Sequence, residues 1–156
     1  IKDYLTLEVA GKRFGGVCCI ISNKKKIGLM KVYSPILKQY LYSLVQGFCD
    51  KNETSSVAIK REILEETGLK IDKKNIRYLC KILPMHSLVK SKLAIYFASL
   101  KNLDSSNFRL RQKEVGTGKI YFFNLKKIKK MLEKPHTFDL ISYAAISYFL
   151  IMKKTF

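Results

Sequence analysis

The chain has 156 residues, enough for one domain with a buried core, and its 47% apolar content with only three prolines excludes a disordered polymer. Thirty basic residues against 12 acidic give a net charge of +18, which favours anionic partners: nucleotides, nucleic acid or an acidic membrane surface. Because 25 of the thirty are lysines spread along the chain, and only Arg13, Arg61, Arg77, Arg109 and Arg111 are arginines, charge alone names no partner.

Branched and aromatic runs predict strands over Tyr4 to Val9, Arg13 to Ile21, Ile27 to Tyr33 and Tyr40 to Val45. The polar stretch Ser22 to Lys26 predicts a hairpin turn between the second and third of these. A helix follows from about Ser55 to Thr67, with Thr54, Ser55 and Ser56 as capping candidates and Gly68 as its stop. Further strands are predicted over Ile76 to Ile82, Leu93 to Leu100 and Ile120 to Asn124. Two helices close the chain: Leu125 to about Glu133, amphipathic through Ile128, Met131 and Leu132, and an apolar one from about Phe138 to Met152, with Thr137 as its cap. This order predicts a single α/β domain over residues 1–156, a mixed sheet with helices on both faces. The segment Lys101 to Gly118 is too long for an idle connection.

Cys18, Cys19, Cys49 and Cys80 lack metal-type spacing and are expected as buried thiols in a reducing compartment, with the cytoplasm as the expected location. His86 and His136 stand alone, which suits structural roles. No run reaches the ~20 apolar residues of a membrane helix, so no membrane partner is expected. The chain begins at Ile1 rather than methionine, so a native start upstream is expected, and with it any targeting segment.

The stretch Gly47 to Leu69, GFCDKNETSSVAIKREILEETGL, carries the chemistry. Glu62, Glu65 and Glu66 stand at i, i+3 and i+4 of the predicted helix, within ~5–6 Å of one another on one face. Crowded carboxylates repel, and a hard dication such as Mg²⁺ or Mn²⁺ offsets that cost. Arg61 stands ready to brace a glutamate. Val57 and Leu64 are expected on the opposite, apolar side, while Ala58, one turn before Glu62, leaves room for a ligand. Gly47, directly after a strand, allows close backbone approach.

Gly47, Glu53, Arg61, Glu62, Ile63, Glu65, Glu66, Gly68 and Leu69 fall at the spacing of the Nudix box, and the chain resembles Nudix hydrolases. The resemblance implies an α/β/α sandwich in which the box is a loop, helix and loop. It implies Glu62, Glu65 and Glu66 as metal ligands, helped by a backbone carbonyl near Gln46 or Gly47, with Arg61 and Glu53 as bracing contacts. The implied reaction is metal-dependent hydrolysis of a pyrophosphate bond, the general base being a box glutamate or Glu114 in the long loop. Beyond the box, ILPMHSLVKSKLAIYFASL is similar to ADP-ribose pyrophosphatases, with Pro84 fifteen residues after Leu69. That similarity implies ADP-ribose or another ADP-sugar as substrate, with Lys31, Glu53 and Pro84 on the substrate side. It departs from that group before the box, where Ser43-Leu44-Val45-Gln46-Gly47 replaces the usual Glu-Leu-Pro-Ala-Gly, and around Pro84, which is poorer in Pro and Gly. Tyr33, Tyr40 and Phe48 are candidates to stack a base, or core residues. The alternatives are an RNA 5′-end or cap hydrolase, or one acting on dinucleoside polyphosphates, with nucleic acid as the partner the charge suggests. A binding module without turnover is the third reading. A homodimer is compatible with the family, although the N-terminal region is too short for the extra sheet of many dimeric members.

Overall fold

The computed structural model describes residues 15–84, 91–100 and 119–152. Among the described residues, seven strands form one mixed sheet: β1 (Gly16–Asn23), β2 (Lys26–Ser34), β3 (Gln39–Ser43), β4 (Val45–Phe48), β5 (Ile76–Ile82), β6 (Leu93–Leu100) and β7 (Ile120–Asn124). The described residues also form three α-helices: α1 (Ser55–Thr67), α2 (Leu125–Leu132) and α3 (Leu140–Met152).

β1 is the central strand. It runs parallel to β6, with Val17 opposite Ala94 and Asn23 opposite Leu100, and β6 pairs antiparallel with β5. Six consecutive residues of β1, Gly16 to Ile21, are buried, as a strand covered on both faces must be. Val17, Cys19 and Ile21 pack with Ala58, Ile59 and Ile63 of α1, while Cys18 and Ile20 pack with Ile128, Ala145 and Ile146 of α2 and α3. The expected sandwich, one mixed sheet between helical layers, is the observed one.

Neighbouring cysteines Cys18 and Cys19 therefore point to opposite faces and cannot bridge. All four cysteines are free, and burial raises each thiol above its ordinary pKa. No helix among the described residues is long and apolar enough to cross a membrane.

Three expectations are corrected. The strand expected over Tyr40 to Val45 is two strands, divided at Leu44. β3 pairs with β2, with Lys31 opposite Tyr42, and β4 pairs with β1, with Val17 opposite Gly47. The chain changes partner at Leu44, which is fully buried and whose amide donates to Ser142 Oγ of α3 at 2.8 Å. The change is possible because β1 and β2 pair only next to their turn, through Ser22–Ile27 and Asn23–Lys26. The cap of α3 is Asp139 rather than Thr137: its Oδ1 accepts from Ser142 N at 2.9 Å, and its backbone oxygen from Tyr143 N. Thr137 instead ends a short 3-10 turn, Pro135–Thr137, which also holds the exposed His136. Thr54 precedes α1 without a side-chain capping bond. The third correction concerns the faces of α1. Val57 is 55% exposed and Ala58 fully buried, so Ala58 belongs to the core rather than to an open ligand space. Tyr4 to Val9, Arg13, His86 and Lys101 to Gly118 lie outside the described residues.

Gly68 ends α1 in the left-handed conformation, φ 71°, with its amide donating to Leu64 O at 2.9 Å. The helix is anchored by Ile59 and Ile63, both fully buried. Truncating Ile63 to alanine should cost ~2–5 kcal/mol in urea or thermal unfolding, the range for a large buried aliphatic. A loss below ~1 kcal/mol would show that α1 does not pack on the sheet through this residue.

Candidate functional site

The site lies where β4 delivers the chain to the loop before α1. By the helical period, Glu62 and Glu66 fall on the same arc as Ile59 and Ile63, facing the sheet rather than opposite the apolar residues. What they face is backbone. Glu66 Oε2 accepts from Gln46 N at 3.2 Å. Glu62 lies so close to Gly47 that a Cβ built there would collide with its carboxylate. Gly47 has no left-handed backbone angle, so the constraint here is space rather than φ.

Arg61 organises the remaining acids. Its Nε donates to Glu53 Oε1 at 3.1 Å, and one terminal nitrogen to Glu53 Oε2 and Phe48 O, both at 2.9 Å. The other terminal nitrogen donates to Glu62 Oε1 at 2.8 Å and Glu65 Oε2 at 3.0 Å. Those contacts account for all five guanidinium donors. The forked pairing with Glu53, followed by the charge of Glu62, raises the pKa of Arg61 further above its already high value. Glu53 also accepts from Asp50 N at 2.9 Å, which closes the loop on itself, and Asp50 Oδ2 lies 3.7 Å from Arg61 Nε. Nothing in the box spacing identifies Asp50, because its approach depends on the turn of the loop at Asn52, where φ is 67°. At the N-terminus of α1, Ser55 Oγ and Tyr96 Oη of β6 share a 2.8 Å hydrogen bond, a pairing across 41 residues that sequence spacing does not reveal.

Among the described residues, no three His, Cys, Asp or Glu side chains gather closely enough to hold a metal as they stand. The guanidinium draws Glu62 and Glu65 to itself. The chemistry of the donor set nevertheless fits a hard dication: Asp50, Glu53, Glu62 and Glu65 surround one guanidinium, Glu66 adjoins them, and all offer oxygen. Glu65 is 54% exposed at its side chain and open to solvent, whereas Glu53 and Glu62 are 10% and 13% exposed. The Gly47 surface against the Glu62 carboxylate is the close cradle that a larger residue would fill.

Of the other candidates, Lys31, Tyr33 and Tyr40 lie on the opposite face of the sheet from α1. Strand alternation puts Lys31 with Ile27 and Leu29 on the face away from α1, its Nζ 4.8 Å from the Tyr40 ring. Tyr33 and Tyr40, on that same face, are 44% and 58% exposed and meet edge to face at 5.2 Å. Phe48 is 46% exposed beside the arginine network. Pro84 follows β5 in a half-buried turn. Glu114 lies outside the described residues.

Comparison with known proteins agrees with this architecture. A solved structure, "Crystal structure of ADP compounds hydrolase", superposes with a TM-score of 0.74 over 92% of this chain and 74% of that one, at 21% identity, which establishes likeness of fold. Curated relatives include the NAD-capped RNA hydrolase NudC of Photobacterium profundum, 34% identical over 61 residues, and that of Vibrio cholerae serotype O1, 33% identical over 61 residues. Each alignment covers 39% of this chain and 22% of the relative, so the match spans about a fifth of those proteins. The NUDIX domain model matches residues 12–140, which takes in all seven strands and the helix that carries the acids, and the chain belongs to the NUDIX domain family.

Proposed function

We propose that the chain is a metal-dependent pyrophosphohydrolase that cleaves a nucleoside diphosphate linked to a second moiety, with ADP-ribose or another ADP-sugar as substrate and AMP and a sugar phosphate as products. The observation that carries this reading is the carboxylate group of α1 pressed against the backbone of Gln46 and Gly47 and aligned by one arginine. Glu62, Glu65 and Glu66 would hold the divalent cation, Mg²⁺ or Mn²⁺. When bound, that cation supplies a more acidic water and neutralises diphosphate charge.

The chain's own residues do the rest. Arg61 holds Glu62 and Glu65 from one nitrogen and ties both to the loop through Glu53 and the Phe48 carbonyl, which keeps the acids beside the loop, and binding a cation would draw Glu62 and Glu65 away from the guanidinium. The Glu66 carboxylate is oriented by the Gln46 amide, and a box glutamate is one candidate to accept the proton of the attacking water. Glu114 is the other candidate for the base. Phe48, whose carbonyl accepts from Arg61, is the aromatic residue next to the acids and a candidate to meet a nucleobase, and Glu53 is assigned to the substrate side through its hold on Arg61. The similarity in fold to an ADP compounds hydrolase supports the choice of an ADP derivative.

A second reading, hydrolysis of an RNA 5′ end or cap, is favoured by the +18 charge and by the NAD-capped RNA hydrolases among the relatives. The two share the bond and the metal, and differ in how many phosphates the protein must grip.

Incubating the protein with Mg²⁺ and ADP-ribose, other nucleotide sugars, dinucleoside polyphosphates and capped RNA separates these readings. Release of AMP from ADP-ribose, abolished by chelator, is the expected result. Turnover of capped RNA alone, falling steeply with salt, would replace it with the second reading. Glu66→Gln should lower kcat by more than the ~10–100-fold of an outer-shell change, with the unfolding transition unmoved. Parental turnover in that variant would remove this helix from the chemistry. Gly47→Ala tests the cradle separately: the added methyl must displace the Glu62 carboxylate, so activity should fall, on the order of tenfold or more by the sensitivity of catalysis to small misplacements, while the fold survives.

A further inference from the structure

A cavity lies far from the acids. It opens at the end of β1 and β6 remote from Gly47, about five residues or ~17 Å along β1. Its volume is about 860 Å³, within the ~300–1,000 Å³ range of small-molecule sites. The walls are β5, β6 and the last turns of α3, with the turn between β1 and β2 as a rim.

Its chemistry is the reverse of the acidic site. Among the described residues, the lining carries Lys24, Lys25 and Arg77 and no acidic side chain. Between these cations stand aromatic rings. Phe97 and Phe149 stack at 5.1 Å and 13°, Tyr148 lies beside Phe149, and the Arg77 guanidinium sits 5.9 Å from the Phe97 ring. Lys24 and Lys25 are exposed in the left-handed turn, φ 44° and 64°, which brings two adjacent positive residues to the mouth. The basic rim continues outward, since Lys26 pairs with Asn124 directly before α2, whose Lys126 and Lys127 follow within its first turn. Cations around aromatic rings suit one kind of ligand: a planar base carrying phosphate, for which stacking and charge act together.

We infer that this cavity is a second nucleotide site, taking a base against the Phe97, Tyr148 and Phe149 rings and its phosphate on Lys24, Lys25 and Arg77. The nucleotide is either free or one unit of a single strand whose next phosphates follow Lys26, Lys126 and Lys127. This inference is independent of the reading of the acidic site, since no residue is shared.

The test is anisotropy of a 5′-labelled ten-nucleotide oligo(A), measured in chelator so that no hydrolysis intervenes, with AMP and an abasic phosphodiester of equal length as competitors. Lys24→Asn with Lys25→Asn removes two charges while keeping residues that tolerate the left-handed turn, and Arg77→Gln, made separately and combined, removes the third. The triple variant should bind about tenfold or more weakly and lose ~2 from the slope of log affinity against log salt, at ~0.7 per phosphate contact. Its melting curve and hydrolytic rate should match the parent's. The abasic strand should compete at least ~5-fold less well, since a stacked base contributes ~1–3 kcal/mol. Competition by AMP as strong per site as by oligo(A) identifies a free nucleotide; oligo(A) far stronger than AMP identifies a strand, and both support the site. Equal binding by parent and triple variant, equal competition by the abasic strand, or binding to anionic phosphatidylserine vesicles but not to oligo(A), overturns it.

Discussion

The saturated guanidinium of Arg61 is the contact on which the acidic site depends. Its five donors reach Glu53, Glu62, Glu65 and the Phe48 carbonyl, so one side chain joins the end of β4, the following loop and two turns of α1. Lysine has three donors from a single point and cannot hold this planar set of directions. Packed glutamates would otherwise splay by mutual repulsion. Here the repulsion is offset before any ligand arrives, and the loop inherits its shape from the charge pattern of the helix.

That network needs the helix at a fixed height over the sheet, and the sheet supplies it through backbone rather than side chains. β4 pairs with β1 through Val17 and Gly47 and turns the neighbouring amide, Gln46 N, to Glu66. The missing side chain at Gly47 admits the Glu62 carboxylate. Beneath them Ile59 and Ile63 fill the space to Val17, Cys19 and Ile21. The carboxylates therefore share a helical arc with core residues, and their half-burial follows from where the apolar neighbours must go. A site built on helix and strand in this way is stiffer than one carried by loops alone.

The fold is largely legible in the residues because its elements are long, regular and bounded by clear stops. Ser55 to Thr67, Ile76 to Ile82, Leu93 to Leu100 and Ile120 to Asn124 coincide with α1, β5, β6 and β7. The errors arise where long-range contacts overrule local pattern. An unbroken run from Tyr40 to Val45 contains no breaker, yet it divides at Leu44 because two diverging strands claim its halves and Ser142, 98 residues away, takes the intervening amide. Thr137 and Asp139 are both good caps, and only the 3-10 turn before α3 decides between them. At the site, the spacing of Glu62, Glu65 and Glu66 announces an acidic cluster, but not that the cluster faces the sheet. Periodicity alone assigns Val57 and Leu64 to the core, when the wider arc through Ala58, Ile59 and Ile63 is the buried one. Asp50 and the Ser55–Tyr96 pair depend on loop conformation and on β6, so no spacing rule reaches them.

Charge distribution gives the site its wider setting. Five of the chain's twelve acidic residues, Asp50, Glu53, Glu62, Glu65 and Glu66, fall within residues 50–66, while thirty cations are spread over the whole chain. At an ionic strength with a Debye length of ~8 Å, a dication close to the acids feels them more than the distant lysines, whereas an approaching anion feels the basic body first. A polyphosphate such as the proposed substrate would be drawn toward the protein as a whole, yet would meet repulsion at the acids unless a cation sat between. If the acids hold a cation as proposed, the excess of lysine and the island of glutamate would act in sequence on one anionic ligand rather than as opposing features.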